Sequence, residues 1–178
     1  GLEKEFKLNI EQNHAILAKH SFEHEIAYAL SNNILGSIDI NRGDYLVGWG
    51  TDQFPNNVEE LVLPFYYIFK NGGFSSGGLN MDAKIRRQSI DPEDLFYAHI
   101  GSMDTCARTL IAVEKMINDG SYETFLKQRY ESWNENSELM NKLSLEDIHN
   151  KVIKENINPD PKSGRQEYLE NLINSFVE

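Results

Sequence analysis

The sequence predicts an α/β fold: a short parallel sheet built from βα units, followed by a helical segment that contains no strand. Three observations carry this. Three short apolar runs, FKLNI (6–10), LGSIDI (35–40) and GGLNMDAK (77–84), have strand character. Each is followed by a longer run whose apolar residues recur at helical spacing. From Ser121 onward the strand signal stops and charged residues dominate. Strand and helix alternating in this way is the pattern of βαβ units around a parallel sheet.

Taken in order, FKLNI alternates apolar and polar residues between flanking charges, as a half-buried strand does. AILAKHSFEHEIAYALSNN (15–33) carries Ile16, Leu17, Phe22, Ile26, Ala29 and Leu30 at near-helical spacing and predicts one helix. LGSIDI is the second strand, and the glycine-rich stretch beyond it, NRGDYLVGWGTDQFP (41–55), reads as an acidic loop. VEELVLPFYYIFKNGG (58–73) predicts a helix closed by Gly72 or Gly73, with Pro64 as a kink. GGLNMDAK is the weakest strand because of its glycines. DPEDLFYAHIGSMDTCARTLIAVEKMIND (91–119) predicts a long helix with Asp91 as N-cap and Pro92 at its first position. In the charged region that follows, SLED (144–147) has the form of a capping box. NPDPKSGRQ then turns the chain into a last amphipathic helix, EYLENLINSFVE. Two segments result: βα units over 1–120 and helices over 121–178.

Composition narrows the function. The 178 residues are 40% hydrophobic, 25% charged and 11% aromatic, an ordinary globular balance. A net charge of −11 argues against nucleic acid as a partner, because a phosphate-binding surface needs clustered Lys and Arg. A divalent cation or a neutral small molecule suits this balance better. Cys106 is the only cysteine, so no intrachain disulfide can form and a cytoplasmic setting is expected. No apolar run reaches the roughly 18 residues of a membrane span, and no signal-peptide core is present, so no membrane partner is expected. The chain opens on Gly1 instead of methionine, and we expect it to begin inside a longer one.

Each expected strand delivers an acid at its C-terminal end: Glu11 after KLNI, Asp39 after GSI, Asp82 after GLNM. In parallel βα architectures these ends share one face, where ligands bind. His14 follows Glu11 by three residues, and Asp52 closes the loop beyond Asp39. Four carboxylates and an imidazole at one mouth repel strongly unless a cation neutralises them. Such a donor set favours Mg²⁺ or Mn²⁺ over a structural zinc. Any one of these acids alone would read as a helix N-cap. His20 and His24 read as solvent-facing or packing residues, Cys106 as a small buried side chain, and Trp49 suits a core, an interface or a pocket wall.

The stretches LNIEQNHAILAKHSFEHE, GSIDINRGD, GWGTDQFP, GGLNMDAKIRRQS, DLFYAHIGSMDT and SGRQEYLENL resemble, in the same order and spacing, the xylose isomerase family in its longer-chain class. The resemblance runs from about residue 2 to the C-terminus. It implies the C-terminal βα units of a (β/α)₈ TIM barrel, with 121–178 as a helical arm that wraps a neighbouring subunit in a tetramer. It further implies interconversion of aldoses and ketoses, xylose and xylulose foremost, with two divalent metals. By that resemblance Glu11 bridges the metals, Asp39 and Asp82 bind the first, and His14 and Asp52 bind the second. Arg42 and Asp44 fix the loop, although an exposed surface pair is the plainer account of them.

Two departures stand out. Where the family pattern reads GWDTDQFP this chain reads GWGTDQFP, so Gly50 replaces a carboxylate ligand of the second metal and should weaken that site. A barrel also needs eight strands and about 250 residues, and the family's catalytic His and Lys lie on strands upstream of this sequence. The implied function is therefore a C-terminal portion of an aldose–ketose isomerase, inactive alone, which needs an N-terminal portion or other copies of itself as partners. The alternative is a non-catalytic truncated relic or oligomerising metal-binding module. Another divalent-metal barrel enzyme, such as a phosphoesterase, fits less well because QFP and RRQS belong to the isomerase pattern.

Overall fold

The first half of the chain builds one small parallel sheet whose strands end side by side. Strand β1 (Leu8–Glu11) pairs in parallel with β2 (Leu35–Asp39), which pairs in parallel with β5 (Leu79–Asn80), in the order β1-β2-β5. Parallel neighbours need a crossover. Between β1 and β2 this is supplied by α1 (Gln12–Leu17) and α2 (Phe22–Ser31), and between β2 and β5 by a hairpin and α3 (Glu59–Lys70). A long helix, α4 (Glu93–Asp119), follows, then α5 (Ser121–Glu135), α6 (Leu145–Lys154) and α7 (Gln166–Asn174). The structure is a computed structural model that describes all residues except Glu3, Asn136, residues 138–140, Pro159 and Glu178; for Trp49, Asn134 and Glu135 it describes the backbone only. The expectation for the Trp49 side chain, and part of the helical run expected over 121–157, therefore fall outside the described residues.

The alternation of the strands decides what is buried. Ile10, Ile38 and Ile40 turn inward, and with Ile26 and Ala29 of α2 and Leu61, Val62, Phe65, Tyr66 and Ile68 of α3 they form the core. Helices α2 and α3 pack on one another over this layer. Each large side chain so buried contributes about 1.5–3 kcal/mol relative to exposure. Helix α3 runs through Pro64 and ends on Asn71. There the amide of Gly72 donates to Phe69 O (3.1 Å) and that of Gly73 to Ile68 O (2.9 Å), the paired bonds of a Schellman closure.

Four local expectations are corrected. The single helix expected over 15–33 is two, because Lys19 adopts a left-handed φ of 66° and breaks the run before Phe22. The expected loop holds an antiparallel hairpin, β3 (Arg42–Asp44) with β4 (Gly48–Gln53). The third strand is confined to Leu79–Asn80; beyond it the chain leaves the first sheet, and Lys84 bridges to Gln53 of β4. Cys106 is only half-buried, and burial pushes its thiol pKa up.

The chain divides into two compact units, Gly1–Asn118 with the last residues Phe176–Glu178, and Asp119–Ser175. In the second unit Tyr122 and Phe125 of α5 and Leu169 of α7 are buried. The rings of Phe125 and Tyr168 lie 5.5 Å apart, and the Arg165 guanidinium sits 4.1 Å from the centre of Tyr168. The capping box of SLED is formed: Ser144 Oγ accepts from the Asp147 amide (3.1 Å), and Asp147 accepts from the Ser144 amide (3.0 Å). Among the described residues no helix is long and apolar enough to cross a membrane.

Candidate metal centre

Parallel pairing sets the last residue of β1 beside the last residue of β2: Glu11 stands opposite Asp39, and Asp39 in turn stands opposite Asn80. Asp82 lies two residues beyond Asn80, past the end of β5. One oxygen from each of Glu11, Asp39 and Asp82 lies within 4.8 Å of the others. Glu11 and Asp39 are half-buried and Asp82 is exposed.

Neutral amides hold the first two in place. Asn41 Nδ2 donates to Glu11 Oε1 (2.6 Å), Asn9 Nδ2 to Asp39 Oδ2 (2.6 Å), and Asn80 Nδ2 to Asp39 Oδ1 (3.1 Å). An amide fixes a carboxylate without cancelling its charge. Three carboxylates, two of them held in this way, are hard-oxygen donors of the kind a divalent cation takes.

His14 joins this group through Glu11. Glu11 is both the last residue of β1 and the N-cap of α1, so His14, one turn on, folds back and sets Nδ1 3.0 Å from Glu11 Oε2. Asp52, on β4, is reached by another route. Its Oδ1 accepts from Asn13 Nδ2 (2.7 Å), and its Oδ2 lies 3.3 Å from Lys84 Nζ. Burial pushes the Asp52 pKa up, but the Asn13 amide and the Lys84 ammonium outweigh this and hold it below the usual carboxylate range.

The hairpin residues have local tasks. Asp44 Oδ1 accepts from the amides of Leu46 and Val47, both at 2.8 Å, which closes the turn and lowers the Asp44 pKa. Arg42 Nε donates to Phe54 O (3.1 Å), and burial lowers its pKa. Gly50 is exposed at φ +76°, with open space where a Cβ would stand. It lines a cavity of about 1090 Å³ together with Arg42, Asp44, Asp52, Lys84 and Arg86. His20, in the connection between α1 and α2, and His24, on α2, are exposed, and His20 Nδ1 lies 2.5 Å from Glu25 Oε1.

Reading acids alone overlooks the asparagines. Asn41 is fully buried; it accepts from the Asn13 amide (2.9 Å) and donates to both Glu11 and the Asp82 carbonyl (2.9 Å). Part of this was readable. Residues two apart on a strand share a face, so Asn9 with Glu11 and Ser37 with Asp39 point together. Ser37 Oγ donates to Asn9 Oδ1 at 2.7 Å across that face.

Comparison with known proteins gives a consistent result. The family model described as XylA2 C-terminal domain matches residues 126–177. A protein named xylose isomerase from Ruegeria sp. (strain TM1040) is 60% identical over 180 residues, covering 99% of this chain and 41% of its own length. One of the same name from Cereibacter sphaeroides (strain KD131 / KCTC 12085) is 61% identical over 178 residues, again 41% of its length. A third, from Mesorhizobium japonicum, is 56% identical over 180 residues. The chain thus spans 41% of the length of these curated relatives.

Proposed function

Starting from a chain that is, by sequence, a C-terminal portion of the xylose isomerase family, we propose that it supplies most of the metal-holding carboxylates of an aldose–ketose isomerase acting on xylose. The observation that carries this is the convergence of Glu11, Asp39 and Asp82 within 4.8 Å at the ends of the parallel sheet. In this proposal the three strands are βα units of a larger (β/α)₈ barrel. Glu11 would serve both of two divalent ions, Asp39 and Asp82 would hold the first, and His14 and Asp52 would hold the second.

Bound there, such ions would supply Lewis acidity toward the carbonyl and hydroxyl oxygens of an aldose. The chain's own residues bind and orient. Asn9 and Asn80 each hold one oxygen of Asp39, and Asn41 holds Glu11 Oε1. Gly50 contributes no donor, so the second site relies on Glu11, His14 and Asp52 and is the weaker of the two. The catalytic His and Lys of the family pattern belong to strands outside this sequence, and the 178-residue polypeptide by itself is accordingly inactive.

Helices 121–178 form the oligomerisation arm in this proposal. Helix α6 has no buried residue, and Leu145 and Ile153 are 87% and 68% exposed, an apolar surface suited to a neighbouring chain. A second reading, a non-catalytic truncated relic or oligomerising metal-binding module, draws on Gly50 and on the family's catalytic His and Lys lying outside this sequence.

The test is xylulose formation from xylose with Mg²⁺ or Mn²⁺. It compares the chain alone, the chain mixed with the upstream portion of the Ruegeria relative, and the same mixture carrying Gly50→Asp. We expect no turnover from the chain alone, turnover from the mixture, and a lower metal requirement with Gly50→Asp. Turnover by the chain alone refutes the division of labour. A folded mixture with no turnover favours the non-catalytic module.

A further inference from the structure

Resting on the proposed two-metal site, the geometry points to Asn13 as the positioning residue that aims Asp52, with Gly43 supplying the clearance it needs. Asn13 is 1% exposed in the first turn of α1. Its side-chain Nδ2 donates to Asp52 Oδ1 at 2.7 Å, and its backbone amide donates to Asn41 Oδ1 at 2.9 Å. Because Asn41 also donates to Glu11 Oε1 at 2.6 Å, one file of amides runs from Asp52 through Asn13 and Asn41 to Glu11. It ties the carboxylate on the hairpin to the three-carboxylate group on the sheet.

The orientation of the Asn13 amide is informative. Its Oδ1 is buried and, among the described residues, accepts no hydrogen bond. A buried acceptor left without a donor is costly, and turning the amide over would instead set two oxygens against each other at Asp52. The donor end therefore fixes the amide, and it is committed to Asp52. The orphaned oxygen faces Gly43 of β3. A Cβ on Gly43 would lie 1.6 Å from Asn13 Oδ1 and 2.5 Å from Asn13 Cγ, and the three atoms nearest to it all belong to Asn13. Gly43 lies outside the left-handed region, so an alanine there is opposed by Asn13 and not by its own backbone. Asn13 thus acts on the ion through Asp52, and Gly43 acts through Asn13.

A double-mutant cycle on the full 178-residue chain tests this, with Mn²⁺ as the probe and its free-ion electron paramagnetic resonance signal as the readout. Wild type is expected to take up a tighter and a weaker class of Mn²⁺. Asn13→Ala should weaken the weaker class about 10–100-fold and leave the tighter class in place. Gly43→Ala should weaken the same class, and the double variant should bind like Asn13→Ala alone, because the side chain that the added methyl displaces is gone. Thermal unfolding without metal, followed by circular dichroism, separates a merely structural effect, which would move the midpoint and spare Mn²⁺ affinity. If Asn13→Ala does not fold, Asn13→Ser carries the same expectation. Unchanged affinity in a folded Asn13 variant, or a Gly43→Ala loss that adds in full to that of Asn13→Ala, overturns the inference. A wild-type chain with a single class overturns it too and leaves the three-carboxylate proposal standing. A wild-type chain that binds no Mn²⁺ overturns that proposal and this inference together.

Discussion

Replacing Asn41 should cost more stability than any other single polar change near the sheet ends, and the structure gives the size of the loss. The side chain is 0% exposed and makes three hydrogen bonds: one accepted from the Asn13 amide, one given to Glu11 Oε1, and one given to the Asp82 carbonyl. Asn41→Ala leaves the buried Asn13 N–H without a partner, at about 1–3 kcal/mol, and removes a bond to a carboxylate, worth about 1.5–3 kcal/mol. The Asp82 carbonyl belongs to an exposed residue, so water replaces most of what it loses. A total of about 2.5–6 kcal/mol follows.

Asn41→Asp separates the two main bonds. It keeps the acceptor for Asn13 but sets a second carboxyl against Glu11 Oε1, where the amide stood at 2.6 Å. Repulsion raises the folded-state pKa of the introduced carboxyl. Its stability is therefore present at low pH, below the unfolded value, and is lost as pH rises through the folded value. The assay is urea unfolding of the metal-free chain by far-ultraviolet circular dichroism, at pH 4 and pH 7. Asn41→Asp should lie near wild type at the lower pH and well below it at the higher. A loss under about 1 kcal/mol for Asn41→Ala, or a pH-independent effect of Asn41→Asp, would refute the reasoning.

Three other outcomes are expected. The amides of Leu46 and Val47 hold the Asp44 pKa down, so the hairpin turn is stabilised above the ordinary carboxylate pKa and loosens as pH falls through the depressed folded value. Amide chemical shifts of Leu46 and Val47 should report that transition, and Asp44→Asn should shift it away. Ser144→Ala removes the acceptor for the Asp147 amide and should destabilise the start of α6 by about 1 kcal/mol, read as faster amide exchange over its first turn. Leu145→Glu with Ile153→Glu should shift the chain toward monomer in light scattering at micromolar concentration; an unchanged mass would count against the arm proposal.

Much of the sheet and the acids at its ends was legible in order of residues, because strand alternation is local. Glu11 and Asp39 each end an apolar strand, and a period of two decides which way they face; Asp82 lies past the end of β5, and the fold brings it to them. The capping box at Ser144 was readable for the same reason: its partner is three residues away. The hairpin was not, since Arg42–Asp44 and Gly48–Gln53 are rich in glycine and charge and carry no apolar alternation. The helix break was hidden too, because Lys19 interrupts a pattern whose apolar spacing continues on both sides.

What tertiary structure alone decided is which neutral side chain meets which carboxylate. Asn13 reaches Asp52 across 39 positions, and Asn41 reaches Glu11 across 30 and the Asp82 carbonyl across 41. An asparagine donates equally well to many acceptors, and nothing in its chemistry names one. The acids declare themselves in sequence because each of three successive apolar runs is followed by one. The amides that aim them become visible only when the parallel register sets Glu11 against Asp39 and buries Asn41 between the strand ends.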